Sequence, residues 1–342
     1  MPTTRLSLPK SPAAVTTPLI VTQQLSRRFG AVDAVKELDL TIARGAVFGL
    51  VGPDGAGKTT TLRLLATILA PTTGRATVDG HDTVTAAQAI KRRVGYMAQE
   101  FRLYGDLSVQ ENLDFFADMC AVHGPVRRER MARLLHFARL TEFTRRRASQ
   151  LSGGMKKKLA LACSLIHQPD ILLLDEPTTG VDPVARREFW DILSDLHLQG
   201  VTMVVSTPYM DEAERCSSIA LLHGGRLVVS GTPAEIKGLV HGEIIEVCPQ
   251  GQGVNLMRQA QGVVRALPGV LEVQTYGNLL HLVVDDAARC LPAVDAALRA
   301  ADIEPNGLRP TVARMEEAFI WLIRRQGEGL KEGLKEGLKI ED

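Results

Sequence analysis

The chain has 342 residues, room for one large domain or two smaller ones, and its 45% hydrophobic and 23% charged content is that of a globular protein with an ample core. Forty basic residues against thirty-nine acidic leave a formal charge of +1, so bulk electrostatics gives no reason to expect a nucleic-acid partner. No apolar run approaches the ~18 residues of a spanning helix, and five cysteines without a C-x-x-C pair read as reduced thiols, not a disulfide frame or zinc site.

Residues 1–18, rich in Thr, Ser and Pro, read as a disordered tail, and no apolar stretch follows the early basic residues to make a secretory signal. From Leu19 onward short apolar runs alternate with helical stretches, the pattern of an α/β fold. Ala46–Val51 reads as a buried strand and Lys58–Leu69 as the helix after it. Residues 104–150 are helical in pattern, with Val109–Ala121 and Arg127–Ala138 as the clearest stretches, and are expected to form a helical subdomain inserted into the sheet domain. Ile171–Leu174 and Val201–Val205 read as two more buried strands, separated by a helix that Asp182-Pro183 opens and that runs to about Leu198. Thr232-Pro233 with Glu235 marks a further helix start.

A second unit is expected over 241–325. Glu243–Cys248 alternates like a strand, Val254–Ala266 like a helix, and Val270–Tyr276 with Leu279–Val284 like a hairpin across Gly277-Asn278. Ala287–Ala301 and the amphipathic Met315–Arg325 read as helices. The tail 326–342 repeats EGLK, and a glycine in every repeat lowers helix stability by ~1 kcal/mol each, so it reads as flexible.

The chemistry begins at Gly52-Pro53-Asp54-Gly55-Ala56-Gly57-Lys58-Thr59-Thr60, which fits G-x-x-x-x-G-K-[ST] between an expected strand and an expected helix. The glycines let successive backbone N–H groups turn toward phosphate oxygens, and the helix start adds its positive dipole end. Lys58 is placed to reach the β and γ phosphates, and Thr59 to offer its hydroxyl to Mg²⁺. A plain glycine-rich turn would not need the Lys-Thr pair. Four apolar residues then carry Asp175 to the end of a strand, where ligands bind in open α/β sheets. In that setting Asp175 suits Mg²⁺ and Glu176 suits a general base on water. The bland reading is a surface acidic pair.

Leu151-Ser152-Gly153-Gly154-Met155 precedes the acidic pair by about twenty residues. In that order and spacing the chain resembles the ATP-binding cassette family over residues 19–240, whose signature is LSGGQ; Met155 departs from the usual Gln. The resemblance implies a P-loop NTPase cassette with a RecA-like core, a helical subdomain and an antiparallel β part, followed here by a small α+β accessory domain. It implies ATP and Mg²⁺ as ligands, a second cassette as partner, and separate membrane subunits, with the chain on the cytoplasmic face of the inner membrane. In such dimers Ser152 and the glycines face the partner's ATP, with Ser152 also fit to cap a helix.

By match to the family, Phe29 stacks on adenine, Gln99 contacts Mg²⁺ and water, and Asp182 belongs to the loop that crosses between cassettes. A core Phe, a surface Gln and a simple N-cap are the bland readings of the three. Pro208 stands where the family has a histidine on the γ-phosphate, and proline has neither a side-chain donor nor an N–H. Reduced hydrolysis at the chain's own site is therefore expected, with binding retained through Lys58. No histidine stands at an obvious replacement position or in a metal-like cluster. Lys156–Lys158 is expected to be a solvated helix face.

GPDGAGKTT, FRLYGDLSVQENLDFFA and STPYMDEAE resemble drug or lipophile exporters of the ABC-2 kind, in which Tyr104–Ala121 would face the membrane subunit. The leading expectation is an ATPase that drives export. The alternative is a nucleotide-binding regulatory cassette paired with an unequal catalytic one. Soluble cassette proteins of translation or DNA repair carry two cassettes or a long coiled-coil insert, and neither is present.

Overall fold

The computed structural model describes residues 18–101, 103–240, 242–251 and 255–323. The expectations for the N-terminal tail (Pro18 apart), for Val254, for the last two residues of Met315–Arg325 and for 326–342 lie outside the described residues. The chain divides into two compact units between Pro233 and Ala234.

In the first unit the elements run β1 (Pro18–Phe29), β2 (Val32–Ala43), β3 (Val47–Val51), α1 (Lys58–Leu65), β4 (Thr73–Val78), β5 (His81–Asp82), α2 (Ala87–Lys91) and β6 (Val94–Met97). Two helices follow, α3 (Val109–Met119) and α4 (Gly124–Phe137), then α5 (Gly153–Ser164), β7 (Ile171–Asp175), α6 (Pro183–Leu198), β8 (Thr202–Thr207), α7 (Met210–Ala213), β9 (Ser218–His223) and β10 (Arg226–Gly231). A short helix, α8 (Pro233–Lys237), spans the division.

Two sheets form. One has the order β10-β9-β3-β8-β7-β6, parallel from β9 to β6 with β10 antiparallel at the edge. The other is antiparallel, β2-β1-β4-β5. Every residue of β3, β7 and β8 is buried, which is why these strands read as unbroken apolar runs instead of alternating ones. Helix α1 packs on β7 and β8 and also meets β4 and β2 of the second sheet. Its Leu62, Leu64 and Leu65 join Phe48, Leu50, Ile171, Leu173 and Val204 in one core with Leu25, Leu38 and Ile42 of the second sheet. Burial of each such leucine stabilises by about 1.5–3 kcal/mol, so the loop before α1 is anchored on a rigid support.

Boundaries differ from expectation at two informative places. Helix α1 ends at Leu65, short of Leu69, because Thr67 turns into the left-handed region at φ 59°. Strand β8 runs two residues past Val205, because Ser206 and Thr207 still pair with Leu50 and Val51 of β3. Residues 104–150 carry helices and 3₁₀ turns, α3 opening with a full capping box between Ser108 and Glu111.

The second unit runs β11 (Glu243–Gln250), α9 (Leu256–Arg265), β12 (Val270–Tyr276), β13 (Leu279–Val284), α10 (Ala287–Ala300), β14 (Glu304–Thr311) and a helix α11 over 315–323. The strands form an antiparallel sheet β12-β13-β11-β14, a split β-α-β arrangement. Helices α9 and α10 cover one face through Ala260, Val264, Val294 and Leu298. Tyr276 pairs with Leu279 across a tight turn whose Gly277 has φ 61°.

Candidate functional site

The site lies at the C-terminal ends of β3, β7 and β8. The turn from β3 into α1 is glycine-dependent for a steric reason. Gly57 has φ 99°, and a Cβ there would sit 2.5 Å from the Ala34 carbonyl oxygen. A Cβ at Gly52 would sit 2.3 Å from the Leu222 carbonyl oxygen. Only residues without a side chain let the loop lie this close to the backbones around it. Gly57 is the N-cap of α1 and has no side chain to cap with, so the first N–H groups of the helix remain available to an anion. Ala56 N–H donates to Pro53 O at 3.2 Å to close the turn, and Asp54 and Gly55 are exposed at its tip.

Lys58 is 4% exposed, and its ammonium donates to Gly52 O at 2.8 Å and Pro53 O at 3.0 Å. It also pairs with Glu176 Oε1 at 3.2 Å. Thr59 Oγ1 donates to Asp175 Oδ1 at 2.9 Å; Thr60 follows it on α1, half-buried. Asp175 is 0% exposed and its Oδ1 also accepts from Ser206 Oγ at 2.7 Å, while Tyr96 OH donates to Oδ2 at 3.4 Å. Burial, then the neighbouring Asp175 charge, pushes the Tyr96 phenol above its ordinary range, so it stays a donor.

Glu176 stands just past β7 with φ 44°, a left-handed conformation unusual for a glutamate and of the kind that clusters at working sites. Its N–H donates to Ser206 Oγ at 2.9 Å and approaches Ser206 O at 3.1 Å, which holds the turn. The carboxylate is thereby aimed at Lys58 on one oxygen, while the other accepts from Gln99 Nε2 at 2.9 Å and Thr179 Oγ1 at 3.3 Å.

Thus Lys58, Thr59, Gln99, Asp175 and Glu176 come together, as their motifs imply. Phe29 ends β1 with its ring 43% exposed and the Arg27 guanidinium 4.7 Å from its centroid. It closes the β1–β2 hairpin, whose Ala34 carbonyl abuts Gly57. Pro208 follows Thr207, whose carbonyl accepts from the Gly52 N–H at 3.4 Å, and so lies beside the same loop without a donor to offer.

Among the described residues no hydrogen bond or ion pair joins Ser152, Gly153, Gly154 or Asp182 to this loop. Ser152 Oγ accepts from Met155 N at 3.3 Å as the N-cap of α5, after Leu151, which is buried. Asp182 Oδ1 accepts from Val184 N and Ala185 N at 3.1 and 2.9 Å as the N-cap of α6. Ser152, Gly153 and Asp182 are exposed, and Gly154 is pressed so close to α6 that a Cβ would lie 2.6 Å from Ala185 Cβ. The two loops lie side by side, Gly153 against the Gly180 carbonyl, and form one exposed surface.

One expectation is corrected. Lys156–Lys158 is not a uniformly solvated face. Lys156 is exposed, but Lys158 is buried against Glu188, and Lys157 Nζ donates to Gln99 O at 2.8 Å. Successive helix residues point about 100° apart, so three lysines in a row cannot share one face.

The structure also adds residues that the motifs did not single out. Ser206 links the backbone of Glu176 to the carboxylate of Asp175, a role set by the register Asp175↔Ser206. Glu212, 0% exposed, accepts from Thr178 Oγ1 at 2.6 Å and Thr207 Oγ1 at 2.7 Å. It ties the segment after Glu176 to the segment that carries Pro208. A buried carboxylate at this position has no local sequence signal beyond its place in MDEAE.

The donor set fits Mg²⁺ and a nucleotide. The Thr59 hydroxyl and Asp175 carboxylate are hard oxygen donors side by side, and the glycine cradle and Lys58 suit phosphate.

Comparison with known proteins agrees. The family model described as ABC transporter matches residues 35–179. The chain is 41% identical over 313 residues to the probable multidrug ABC transporter ATP-binding protein YbhF of Escherichia coli K12, covering 90% of this chain and 53% of that protein. It therefore spans about half the length of YbhF. It is 38% identical over 299 residues to the daunorubicin resistance ATP-binding protein DrrA3 of Streptomyces coeruleorubidus, covering 86% of this chain and 93% of that one. A solved dimeric post-hydrolysis state of an ATP-binding cassette bound to ADP and Pi superposes with a TM-score of 0.57 at 27% identity, over 62% of this chain and 98% of that chain. A P-loop cassette with a signature helix start, alike at this level to DrrA3 across nearly its whole length, belongs to the ATP-binding proteins of ABC transporters.

Proposed function

We propose that the chain binds and hydrolyses ATP to power export of a drug-like or lipophilic substrate through separate membrane subunits. The observation that carries this reading is the Glu176 carboxylate held between Lys58 and Gln99 beside the Thr59–Asp175 pair. Glu176 accepts a proton from the attacking water as its oxygen bonds the γ-phosphorus and the bond to the β–γ bridging oxygen breaks, releasing ADP and phosphate. Lys58 moves from the Gly52 and Pro53 carbonyls to the phosphate oxygens, which frees one oxygen of Glu176. Gln99 orients the water from the other side. Thr59 and Asp175 would hold Mg²⁺, which would supply positive charge to offset that of the phosphates.

The outward surface of Ser152, Gly153, Gly154 and Asp182 supports a head-to-tail pair, in which it meets ATP on a second cassette, the same chain or an unequal one. Phe29 supplies the adenine platform. Among the described residues no helix is long and apolar enough to cross a membrane, and we place the chain at the cytoplasmic face of the inner membrane. The aromatic group of Tyr104 and Phe115, with centroids 4.6 Å apart, and the 68% exposed Met119 support a docking face for the membrane subunit on α3. The names of DrrA3 and YbhF support a drug-like cargo.

Pro208 favours a second reading, a regulatory cassette that turns over slowly. Loss of one preorganised donor lowers rates by about 10²–10³-fold elsewhere. The test is ATPase of the full chain beside Glu176→Gln and Pro208→His. Turnover that needs Glu176 supports the hydrolytic reading. ATP binding without Glu176-dependent turnover, gained only in Pro208→His, supports the regulatory one.

A further inference from the structure

Gln99 is held at both ends. Its side-chain amide donates to Glu176 Oε2 at 2.9 Å, and its backbone carbonyl accepts from the Lys157 ammonium at 2.8 Å. Lys157 lies in the second turn of α5, the helix that Ser152 and Gly153 open. We propose that Lys157 is a positioning residue for hydrolysis: it pins Gln99 to α5 and thereby sets where the Gln99 amide holds the Glu176 carboxylate.

Three observations make this more than a surface contact. Gln99 sits in the irregular segment after β6, where no strand ladder fixes its backbone. The bond to Lys157 anchors that segment to a regular element. Lys157 is itself half-buried on α5, so its stem is held by packing and the bond to the Gln99 carbonyl is not made by a freely waving surface side chain. Its neighbours are already engaged or solvated, Lys158 on Glu188 and Lys156 in water, so neither can take over the Gln99 carbonyl without turning the helix. Any rotation of α5 is then felt at Glu176 through one residue. A misplacement of about 1 Å at a reacting group can reduce rate by ~10²-fold, so a half-lost tether should read as a smaller but measurable fall.

The inference rests on the hydrolytic role of Glu176, and the experiment separates the two. Single-turnover hydrolysis of labelled ATP by excess full-length protein is measured for the parent, Glu176→Gln, Lys157→Met, Lys157→Arg, Gln99→Ala and Lys157→Met/Gln99→Ala. Methionine keeps the length of the lysine stem and removes the donor. The expected result is a rate roughly 5- to 20-fold lower in Lys157→Met at unchanged ATP affinity, recovered to within about 3-fold in Lys157→Arg. In the Gln99→Ala background Lys157→Met should add nothing, since its route to Glu176 is already cut. Amide exchange across residues 97–101 gives a readout that needs no turnover: faster in Lys157→Met and restored in Lys157→Arg. A Lys157→Met rate and exchange equal to the parent, or a full additive loss in the double variant, overturns the proposal while leaving Glu176 in its role. Full turnover in Glu176→Gln overturns both.

Discussion

Each unit of this chain buries a cluster of charge, and the two clusters are built differently. In the first, Lys58, Asp175 and Glu176 sit at the ends of parallel strands beside a loop of glycines, with a left-handed backbone at Glu176. In the second, Glu246, His281 and Glu317 lie on the sheet face opposite α9 and α10, and their backbone is ordinary strand and helix. His281 is 1% exposed, with Nδ1 2.6 Å from Glu317 Oε1 and Nε2 3.0 Å from Glu246 Oε2. With both carboxylates ionised, each ring nitrogen has an acceptor to donate to, an arrangement that favours the imidazolium. Arg309 completes the cluster at 2.9 Å from Glu246, and Arg314 lies over the Tyr276 ring. Burial by itself would lower the His281 pKa, but the bonds to Glu317 and then Glu246 outweigh it and hold it above the ordinary value. The His281 bond likewise holds the Glu246 carboxyl below its ordinary range. Here every charge closes on another charge in the same unit. In the first unit the cation and carboxylates border the start of α1, whose first N–H groups get no side-chain cap from Gly57. Burial alone does not mark a site; an uncapped helix start and a strained backbone beside it do.

Substitutions can break that contrast, and the largest effect is expected at Glu176. Glu176→Gln should lower ATP turnover by about 10²–10⁴-fold while nucleotide binding persists, and EDTA should abolish turnover of the parent. A variant that still turns over would remove Glu176 from the role of base. In the second unit the loss should be one of stability. His281→Leu leaves the buried Glu317 carboxylate without its imidazolium and Glu246 with its arginines alone, and calorimetry of the full chain should show that unit weakened by roughly 3–5 kcal/mol.

A backbone change comes next. Gly57→Ala forces an L-residue to φ 99° and sets its Cβ against the Ala34 carbonyl. It should lower stability by about 1–2 kcal/mol in denaturant titration and weaken nucleotide binding with it.

The pH dependence of the second unit follows from the raised His281 pKa. Its stabilisation is fully present below the ordinary histidine pKa and is lost as pH rises through the higher folded value. The melting temperature of this unit should therefore fall as pH climbs through that window, and the trend should vanish in His281→Leu. The smallest effect is at Asp182, where Ala removes the cap on α6 and should lower stability by about 1 kcal/mol. If Asp182 also crosses to a partner cassette, its loss should lower turnover in the pair beyond what a destabilised helix explains.

Much of this was legible in the linear chain. A loop with glycines at fixed offsets, Lys-Thr after it and a four-residue apolar run into Asp175-Glu176 are local patterns, and local patterns survive in sequence. The hairpin at Gly277-Asn278 and the caps at Ser152 and Asp182 were legible for the same reason. The roles of Ser206, Glu212 and Lys157 were not. Ser206 meets Asp175 only because β7 and β8 pair in one register, 31 residues apart in the chain. Lys157 meets Gln99 across 58 residues, and a run of three lysines reads as solvent-facing until a helix assigns each its own direction. The His281 cluster joins β11, β13 and α11, and nothing near His281 in the sequence announces either carboxylate.

The sequence by itself determined the phosphate loop, the acidic pair, the signature helix start and the absence of a donor at Pro208, since each depends on neighbours along the chain and the conformations those neighbours allow. Tertiary structure alone decided which oxygen of Glu176 faces Lys58 and which faces Gln99, and which of two buried charge clusters borders an uncapped helix start. Those outcomes depend on strand register and helix rotation, which are set by how cores of side chains pack together and not by any residue's immediate neighbours.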